Sequence, residues 1–242
     1  MQVYLLEQLE EDVPDSNDWL SNREREHVRT LTFLKRRKDW RLGRWSAKCA
    51  VATLQDMPLH PDLLAGIEIR PAASGAPQIF FQDTPADVTI SISHRSGVGL
   101  CALTDGGARL GCDVELVEPH SAAFIADYFT AQEQELTEKV ATEHQWLLVT
   151  LLWSAKESAL KALYEGLRRD TRSVVVTPGS LAFGRGWNSL QVHSLEGDDF
   201  HGWWREAEGR VQTVLADRSL ALPICLESRI SKYPSSSNDE AA

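Results

Sequence analysis

The sequence predicts a mixed α+β fold, and three observations support this class. Runs of alternating or β-branched residues typical of strands occupy 88–104 and return from Ser173 onward. Residues 121–139 and 143–165, which separate these β-rich parts, have the apolar spacing of helices. Strands and helices are therefore grouped along the chain, as in α+β proteins.

The remaining elements follow from the same patterns. In chain order, the sequence predicts a strand at 3–6, helix at 23–56 with a break near 30–33, a hairpin of strands at 88–94 and 97–104, and another strand after the glycine-rich turn. The tail at 230–242 has a composition typical of disorder. No short internal repeat is evident.

Composition and cysteine content limit the classes of protein to which this chain can belong. The chain has 242 residues, 43% of them apolar and 25% charged, which is ordinary for a globular protein. No apolar run is long enough to span a bilayer, and the acidic N-terminus does not resemble a secretory signal, so we expect a cytoplasmic protein without membrane association. The cysteines form no C-x-x-C pair and are expected to be buried free thiols: Cys49, Cys101, Cys112 and Cys225.

The charge is unevenly distributed. The net charge of -10 argues against a nucleic-acid-binding protein. The segment from Arg23 to Lys48, however, contains ten Lys/Arg and three Asp/Glu, which gives it a net charge of +7. The rest of the chain therefore has a net charge of -10 minus 7, or -17. A basic segment on an acidic protein suggests a site for a small anion.

The segment G-C-D-V-E-L at 111–116 places two carboxylates on one face of a strand. Side chains alternate along a strand, so Asp113 and Glu115 point the same way, about 7 Å apart. They repel each other unless they are neutralised, which a divalent cation bound by oxygen ligands does well. The alternative is a strand with a solvated acidic face.

The segment W-S-A-K-E-S-A-L-K-A-L at 153–163 places Lys156, Glu157 and Lys161 in an otherwise apolar helix. Trp153, Glu157 and Lys161 are four residues apart and share one face. One interpretation is a surface ion pair between the glutamate and the distal lysine. The other is a third carboxylate for a magnesium site, with a lysine beside it for a phosphate ligand.

Two upstream features also suit an anion. Within 37–54, four basic residues occur at i, i+4, i+7 and i+11 and line one stripe: Arg37, Arg41, Arg44 and Lys48. Arginine forks suit phosphates, although an ordinary amphipathic helix with a solvated face explains the stripe equally well. In S-I-S-H at 91–94, Ser93 and His94 end a strand where they could donate hydrogen bonds to an anion. No G-x-S-x-G motif accompanies them to support a hydrolase.

Together these motifs resemble the 4′-phosphopantetheinyl transferases, specifically the long, surfactin-synthetase-activating type. The family pattern is a G-x-D-x-E strand followed about forty residues later by W-x-x-K-E-S-x-x-x-K, here G-C-D-V-E at 111–115 and W-S-A-K-E-S-A-L-K at 153–161. Matching features are K-D-W-R-L-G-R, G-A-P at 75–77, S-I-S-H and F-I-A-D-Y-F-T-A-Q-E at 124–133. The resemblance covers roughly residues 20–225.

The resemblance implies a fold and a reaction. The fold is a pseudo-twofold pair of similar subdomains, expected at 1–108 and 109–228, with 229–242 as a disordered tail. The reaction moves the phosphopantetheine arm of coenzyme A to a serine of an acyl or peptidyl carrier protein and releases adenosine 3′,5′-bisphosphate. A monomer is expected, because this family packs both halves within one chain.

The resemblance also implies roles for the candidate residues. Three carboxylates would hold Mg²⁺, with Mn²⁺ as the alternative: Asp113, Glu115 and Glu157. Lys161 would stabilise the pyrophosphate oxygens, and Glu157, directly or through a metal-bound water, would take the proton from the incoming serine; an Asp-held water is the alternative base. The nucleotide end of coenzyme A would contact Arg37, Arg44, Ser93 and His94. Lys156 either contacts the cofactor or pairs with a neighbouring carboxylate.

One departure and two other functions remain open. Many members of the family have Lys or Arg where this chain has Ala76, so a phosphate contact is either missing or supplied by Arg95 or Arg41.

The carrier is usually acidic and would dock on a basic or apolar surface, for which segment 23–48 is a candidate. The alternative functions are another metal-dependent phosphotransferase or phosphohydrolase, and a non-catalytic coenzyme A-binding protein.

Overall fold

The computed structural model describes residues 1–179, 181 and 186–227, which form two β-sheets with a long helix packed on each. The helices are α1 Asn22–Thr30, α2 Leu34–Leu54, α3 Pro61–Gly66, α4 Ala122–Tyr128, α5 Ala131–Lys139 and α6 Thr142–Ala162. The strands are β1 Tyr4–Leu9, β2 Ile67–Pro71, β3 Pro77–Phe81, β4 Thr84–Arg95, β5 Val98–Asp105, β6 Leu110–Leu116, β7 Val174–Pro178, β8 Asn188–Ser194, β9 Asp199–Ala207, β10 Arg210–Ala216 and β11 Ile224–Cys225. The α+β class is confirmed.

The two sheets repeat one topology. The first sheet has the order β11-β1-β5-β4-β3-β2 and the second β6-β10-β9-β8-β7. In each half a first strand leads to a long helix and then to four strands, the last of which returns antiparallel beside the first. The two halves therefore match the pseudo-twofold fold that the resemblance implies.

The helices of the two halves also share a sequence, which corrects the expectation of no short repeat. W-S-A-K occurs at 45–48 in α2 and again at 153–156 in α6. In both copies the lysine is fully buried. Two copies of only four residues, more than a hundred residues apart, are not significant in the sequence alone. They count as a repeat because they occupy equivalent positions in the two halves of the fold.

Each buried lysine pairs with a buried glutamate. Lys48 Nζ lies 2.6 Å from Glu24 Oε2, and Lys156 Nζ lies 2.9 Å from Glu133 Oε2. Each glutamate is the third residue of its helix and closes a capping box, with Ser21 in α1 and with Thr130 in α5. The pairs therefore fasten each long helix to the short helix before it.

Three apolar clusters form the core. One lies beneath α2 and another beneath α6. The third lies between strands of both halves and includes Val3, Leu100, Cys112 and Val214. Strand β11 also returns to the first sheet beside β1, which adds a further contact between the chain of the second half and the first sheet. A division near residue 108 stays a prediction.

Several sequence expectations meet the structure here. The helix break near 30–33 is confirmed, whereas the helical region 121–139 divides into α4 and α5. Cys225 is exposed, unlike the other three cysteines, so the expectation of four buried thiols is wrong at that position. The predicted tail lies outside the described residues. Among the helices that the structure describes, none is long and apolar enough to cross a membrane.

Candidate active site

The strand β6 brings Asp113 to the junction of the two halves. Its carboxylate is almost completely buried, at 3% exposure. Oδ1 accepts hydrogen bonds from Ser93 Oγ and from Lys161 Nζ, both at 2.7 Å. Oδ2 is buried and has no hydrogen-bond partner among the described residues. One oxygen is thus fixed, while the other is an acceptor without a donor.

The serines of strand β4 hold β6 in place. Ser91 Oγ accepts a hydrogen bond from the backbone N–H of Cys112 at 2.9 Å, and Ser93 Oγ accepts one from that of Val114 at 3.4 Å. Ser93 also donates to Asp113, which is a carboxylate of the protein itself, and its contact with coenzyme A stays a prediction. The S-I-S-H serines therefore join the two halves beside the acidic strand.

The second carboxylate of β6 has a polar but partly buried setting. Glu115 Oε2 lies 3.1 Å from Arg95 Nε, and Glu115 Oε1 accepts a hydrogen bond from Trp153 Nε1 at 3.3 Å. Burial and the neighbouring Asp113 together raise the pKa of Glu115 to about 7, despite the opposing effect of Arg95. The side chain is therefore near half-protonation at neutral pH when no further cation is bound.

Helix α6 supplies Glu157 and Lys161, one turn apart. It packs so closely on β6 that a Cβ at Gly111 would lie 1.8 Å from the carbonyl oxygen of Ser158. This contact brings Lys161 Nζ to 3.0 Å from the carbonyl oxygen of Cys112 as well as to Asp113. Burial opposes the charge of Lys161, but Asp113, Cys112 and Glu157 outweigh it and raise its pKa.

The pKa of Glu157 is also raised, and two causes act together. Burial is the larger, and the charge of Asp113 adds to it, while Lys161 acts in the opposite direction. A glutamate with a raised pKa is a better proton acceptor near neutral pH than an ordinary one.

Oxygen ligands suit a hard divalent cation, and the unpartnered Oδ2 of Asp113 is an available donor of that type. Within the described residues, however, no group of three His, Cys, Asp or Glu side chains is already arranged to hold a metal ion. Lys161 instead provides the positive charge against Asp113. The carboxylates of Asp113, Glu115 and Glu157 are nevertheless of the ligand type that a hard divalent cation takes.

A pocket of about 510 Å³ adjoins this centre. Helix α2 contributes Trp40 and Arg44 to one wall, strand β4 contributes His94, and the chain at the end of α6 contributes Lys161 and Arg168. The turn at 74–77 closes a further side. The pocket is thus built by both halves, and Lys161 joins it to Asp113.

Three of the predicted cofactor-binding residues line the pocket, namely Arg44, His94 and Lys161. The guanidinium of Arg44 lies 4.8 Å from the ring centroid of Trp40 and 3.8 Å from Glu24 Oε1. Burial lowers the pKa of His94, which favours its neutral form. A neutral imidazole can still donate one hydrogen bond to an anion.

The other predicted contacts lie elsewhere. Arg37 is exposed, and its Nε donates to the backbone of Leu31 at 3.2 Å. Ser93 faces Asp113, as described above. Lys156 is fully buried and pairs with Glu133. Of the two interpretations of Lys156 from the sequence, the structure therefore has the pair with a carboxylate, and this lysine does not line the pocket.

Sequence reasoning missed two pocket residues. Trp40 precedes Arg44 by four residues, a spacing that places an aromatic ring beneath a guanidinium on a helix and could have been noticed. Arg168 gave no signal, because it follows the helix in a charged stretch typical of a surface loop.

The fold and site define a two-halved α+β protein in which a basic pocket adjoins buried carboxylates. Residues 109–209 match the family model described as the 4'-phosphopantetheinyl transferase superfamily. A relative from Synechocystis sp., described as "Putative 4'-phosphopantetheinyl transferase slr0495", is 29% identical over 87 residues, which cover 35% of this chain and 35% of the relative.

The match over residues 109–209 confirms the resemblance to the 4′-phosphopantetheinyl transferases that was noted in the sequence. The match contains both the G-C-D-V-E strand and the W-S-A-K-E-S helix. Assignment to the long type stays a prediction.

Proposed function

We propose that this protein transfers the 4′-phosphopantetheine group of coenzyme A to a serine of an acyl or peptidyl carrier protein in a Mg²⁺-dependent reaction. One observation carries the proposal. Lys161, inside the segment that matches the superfamily, lines the pocket and donates a hydrogen bond to the buried Asp113. Lys161 therefore connects the pocket, where we propose that the phosphates bind, to the carboxylates of β6.

The proposed reaction displaces one phosphate oxygen by another. The serine hydroxyl oxygen bonds to the phosphorus that carries pantetheine, and the bond from that phosphorus to the bridging pyrophosphate oxygen breaks. Adenosine 3′,5′-bisphosphate leaves. The serine proton passes to Glu157, which acts as the general base.

The chain's own residues bind and orient the reactants. Arg44 and His94 would hold the nucleotide end of coenzyme A in the pocket, and Lys161 would donate to the pyrophosphate oxygens. Asp113, Glu115 and Glu157 would hold the metal ion. When bound, Mg²⁺ supplies neutralisation of the charge that develops on the transferring and leaving groups.

The test is intact-mass spectrometry of an apo carrier protein incubated with this protein, coenzyme A and Mg²⁺. The proposal predicts a gain of one phosphopantetheine group that chelator prevents and that a Glu157→Gln variant reduces strongly. A carrier that stays unmodified while coenzyme A is broken down would instead indicate a phosphohydrolase. Binding of coenzyme A without either reaction would indicate a non-catalytic binding protein.

A further inference from the structure

The pocket is lined by an arginine, Arg168, that pairs with no carboxylate among the described residues. Four basic residues line it: Arg44, His94, Lys161 and Arg168. Lys161 is paired with Asp113, and Arg44 faces Glu24. Among the residues that the structure describes, no carboxylate lies within ion-pair distance of Arg168, and its hydrogen bonds all go to backbone carbonyls.

Those hydrogen bonds fix the guanidinium without neutralising it. Arg168 ends a short 3₁₀ turn that begins at Gly166, whose φ of 55° is favourable for glycine. Nε donates to the carbonyl of Glu165 at 3.0 Å, and Nη2 donates to those of Tyr164 at 3.1 Å and Ser74 at 3.4 Å. These bonds use the N–H groups of Nε and Nη2, so the guanidinium keeps its charge and has the two N–H groups of Nη1 to donate to an anion.

Arg168 reaches the wall of the pocket that lacks a basic residue of its own. The turn that contains Ser74 is closed by backbone hydrogen bonds between Ala72 and Ala76 and between Gly75 and Ala72, both 2.8 Å long. It carries no Lys or Arg. The bond from Arg168 to Ser74 places a positive charge beside this turn from the other half of the molecule.

The two replacements suggested by the sequence are engaged elsewhere. Arg41 Nη2 donates to the carbonyls of Asp15 at 3.2 Å and Ser16 at 3.0 Å. Arg95 pairs with Glu115 and Glu118. Neither arginine lines the pocket that adjoins Lys161.

We propose that Arg168 binds a phosphate at the nucleotide end of coenzyme A and supplies the charge that Ala76 does not. Arg44 approaches the same pocket from the first half, so the two arginines hold the ligand from opposite halves of the molecule. This assignment rests on the proposed function, because it takes coenzyme A as the ligand.

The test is calorimetric binding of adenosine 3′,5′-bisphosphate to the full chain without metal. Arg168→Ala should raise Kd on the order of tenfold, with a smaller rise for Arg168→Lys, because a charge-assisted contact is lost or weakened. Arg172→Ala is the matched control, since Arg172 is exposed, pairs with Asp170 and does not line the pocket. It should leave Kd unchanged, and all variants should keep the wild-type Tm.

A second variant tests the relation to Ala76. Adding Ala76→Arg to Arg168→Ala should recover affinity, because it places a guanidinium on the turn beside which Arg168 lies in the wild type. A double variant that binds no more tightly than Arg168→Ala would overturn the assignment. An unchanged Kd in Arg168→Ala would also overturn it. A raised Kd together with a lowered Tm in both Arg168→Ala and Arg168→Lys would do the same, because the loss of affinity would then follow from a loss of structure.

The outcomes separate this inference from the proposed function. If the wild-type chain neither binds the bisphosphate nor modifies a carrier, the proposed function fails and the inference fails with it. If the wild-type chain does both and Arg168→Ala binds normally, only the role of Arg168 is overturned.

Discussion

The two carboxylate oxygens of Asp113 have very different surroundings in the candidate site. Its Oδ1 receives hydrogen bonds from one side chain of each half, Ser93 and Lys161, while Oδ2 receives none among the described residues. A buried carboxylate oxygen without a donor is costly. The unpartnered oxygen belongs to the carboxylate that Lys161 links to the pocket.

Replacing Asp113 by Asn should therefore remove activity more than stability. The amide keeps the shape of the side chain but loses the charge that orients Lys161 and would attract a metal ion. We expect transfer to a carrier to fall by at least about a hundredfold. Single-turnover mass spectrometry measures the rate, and circular dichroism checks the fold. Near-wild-type transfer by a folded variant would remove Asp113 from the chemistry.

Glu115 should make the stability of the metal-free protein depend on pH. Its pKa rises from 4.5 to about 7 on folding, so between these values the native state binds more protons than the unfolded state. The contribution of Glu115 to the free energy of unfolding therefore falls as pH rises through this window, by at most about 1.4 kcal/mol per pH unit.

Urea unfolding in the presence of chelator, repeated between pH 5 and pH 7.5, measures this contribution as the difference between wild type and Glu115→Gln. Glu138→Gln, at an exposed position on α5, is the control and should leave the pH dependence unchanged. A wild-type curve parallel to that of Glu115→Gln would show that folding does not raise the pKa of this carboxyl.

Helix α6 shows what a sequence pattern can and cannot establish. Lys156 and Lys161 are five residues apart and therefore point to different faces of the helix. The motif identified both as candidates, but their roles depend on which neighbour each face meets. Lys161 meets β6 and the pocket, whereas Lys156 meets α5 and Glu133. That difference arises from tertiary packing and is invisible in the local sequence.

Replacing Lys156 by Met should destabilise the protein by about 3–5 kcal/mol, because it leaves Glu133 buried without its counter-charge. In the folded fraction, the KM for coenzyme A should be unchanged. Lys139→Met removes the exposed pair with Glu135 and should cost at most about 1 kcal/mol.

Urea unfolding and steady-state kinetics together decide the role of Lys156. A stable Lys156→Met variant with a raised KM for coenzyme A would restore its interpretation as a cofactor contact. The parallel change at Lys48 should destabilise by a similar amount, because its pair with Glu24 is equally buried.

The strands and long helices could be predicted because their local patterns and their packing agree. The first strand of the hairpin at 88–104 alternates in V-T-I-S-I-S, the second is a mostly apolar run, and α2 has a continuous apolar face. The hairpin of β2 and β3 was missed because its strands are only five residues each and are separated by proline-containing turn signals. The motifs identified Asp113 and Lys161 as members of one candidate site, but neither the hydrogen bond between them nor the serine contacts between β4 and β6 were predicted, since both depend on tertiary packing.

The whole molecule combines a repeated topology with a shared core. The cluster around Leu100, Cys112 and Val214 belongs to both halves, and the hydroxyls of Ser91 and Ser93 bind backbone groups of β6. The candidate site lies at this junction, with Asp113 on one side and Ser93 on the other. A site built this way requires that the two halves keep a fixed relation.

We therefore expect the chain to unfold in one cooperative transition, although its topology is that of two units. Leu100 is buried in the shared cluster, so Leu100→Ala should lower the stability of both halves equally, by about 2–5 kcal/mol. Hydrogen exchange with mass spectrometric detection across a urea series can follow peptides from α2 and α6 separately. Leu195→Ala, at a position that is 67% exposed, is the control and should shift neither midpoint.

Coincident midpoints in wild type and in Leu100→Ala would mean that neither half is stable without the other, because the apolar surface between them is part of both cores. Two separate midpoints would mean that one half can persist while the other unfolds. If the first half unfolds first, the hydrogen bond that Ser93 donates to Asp113 and the one that it accepts from Val114 would break without loss of β6, and the candidate site would be lost in a molecule that is still half folded.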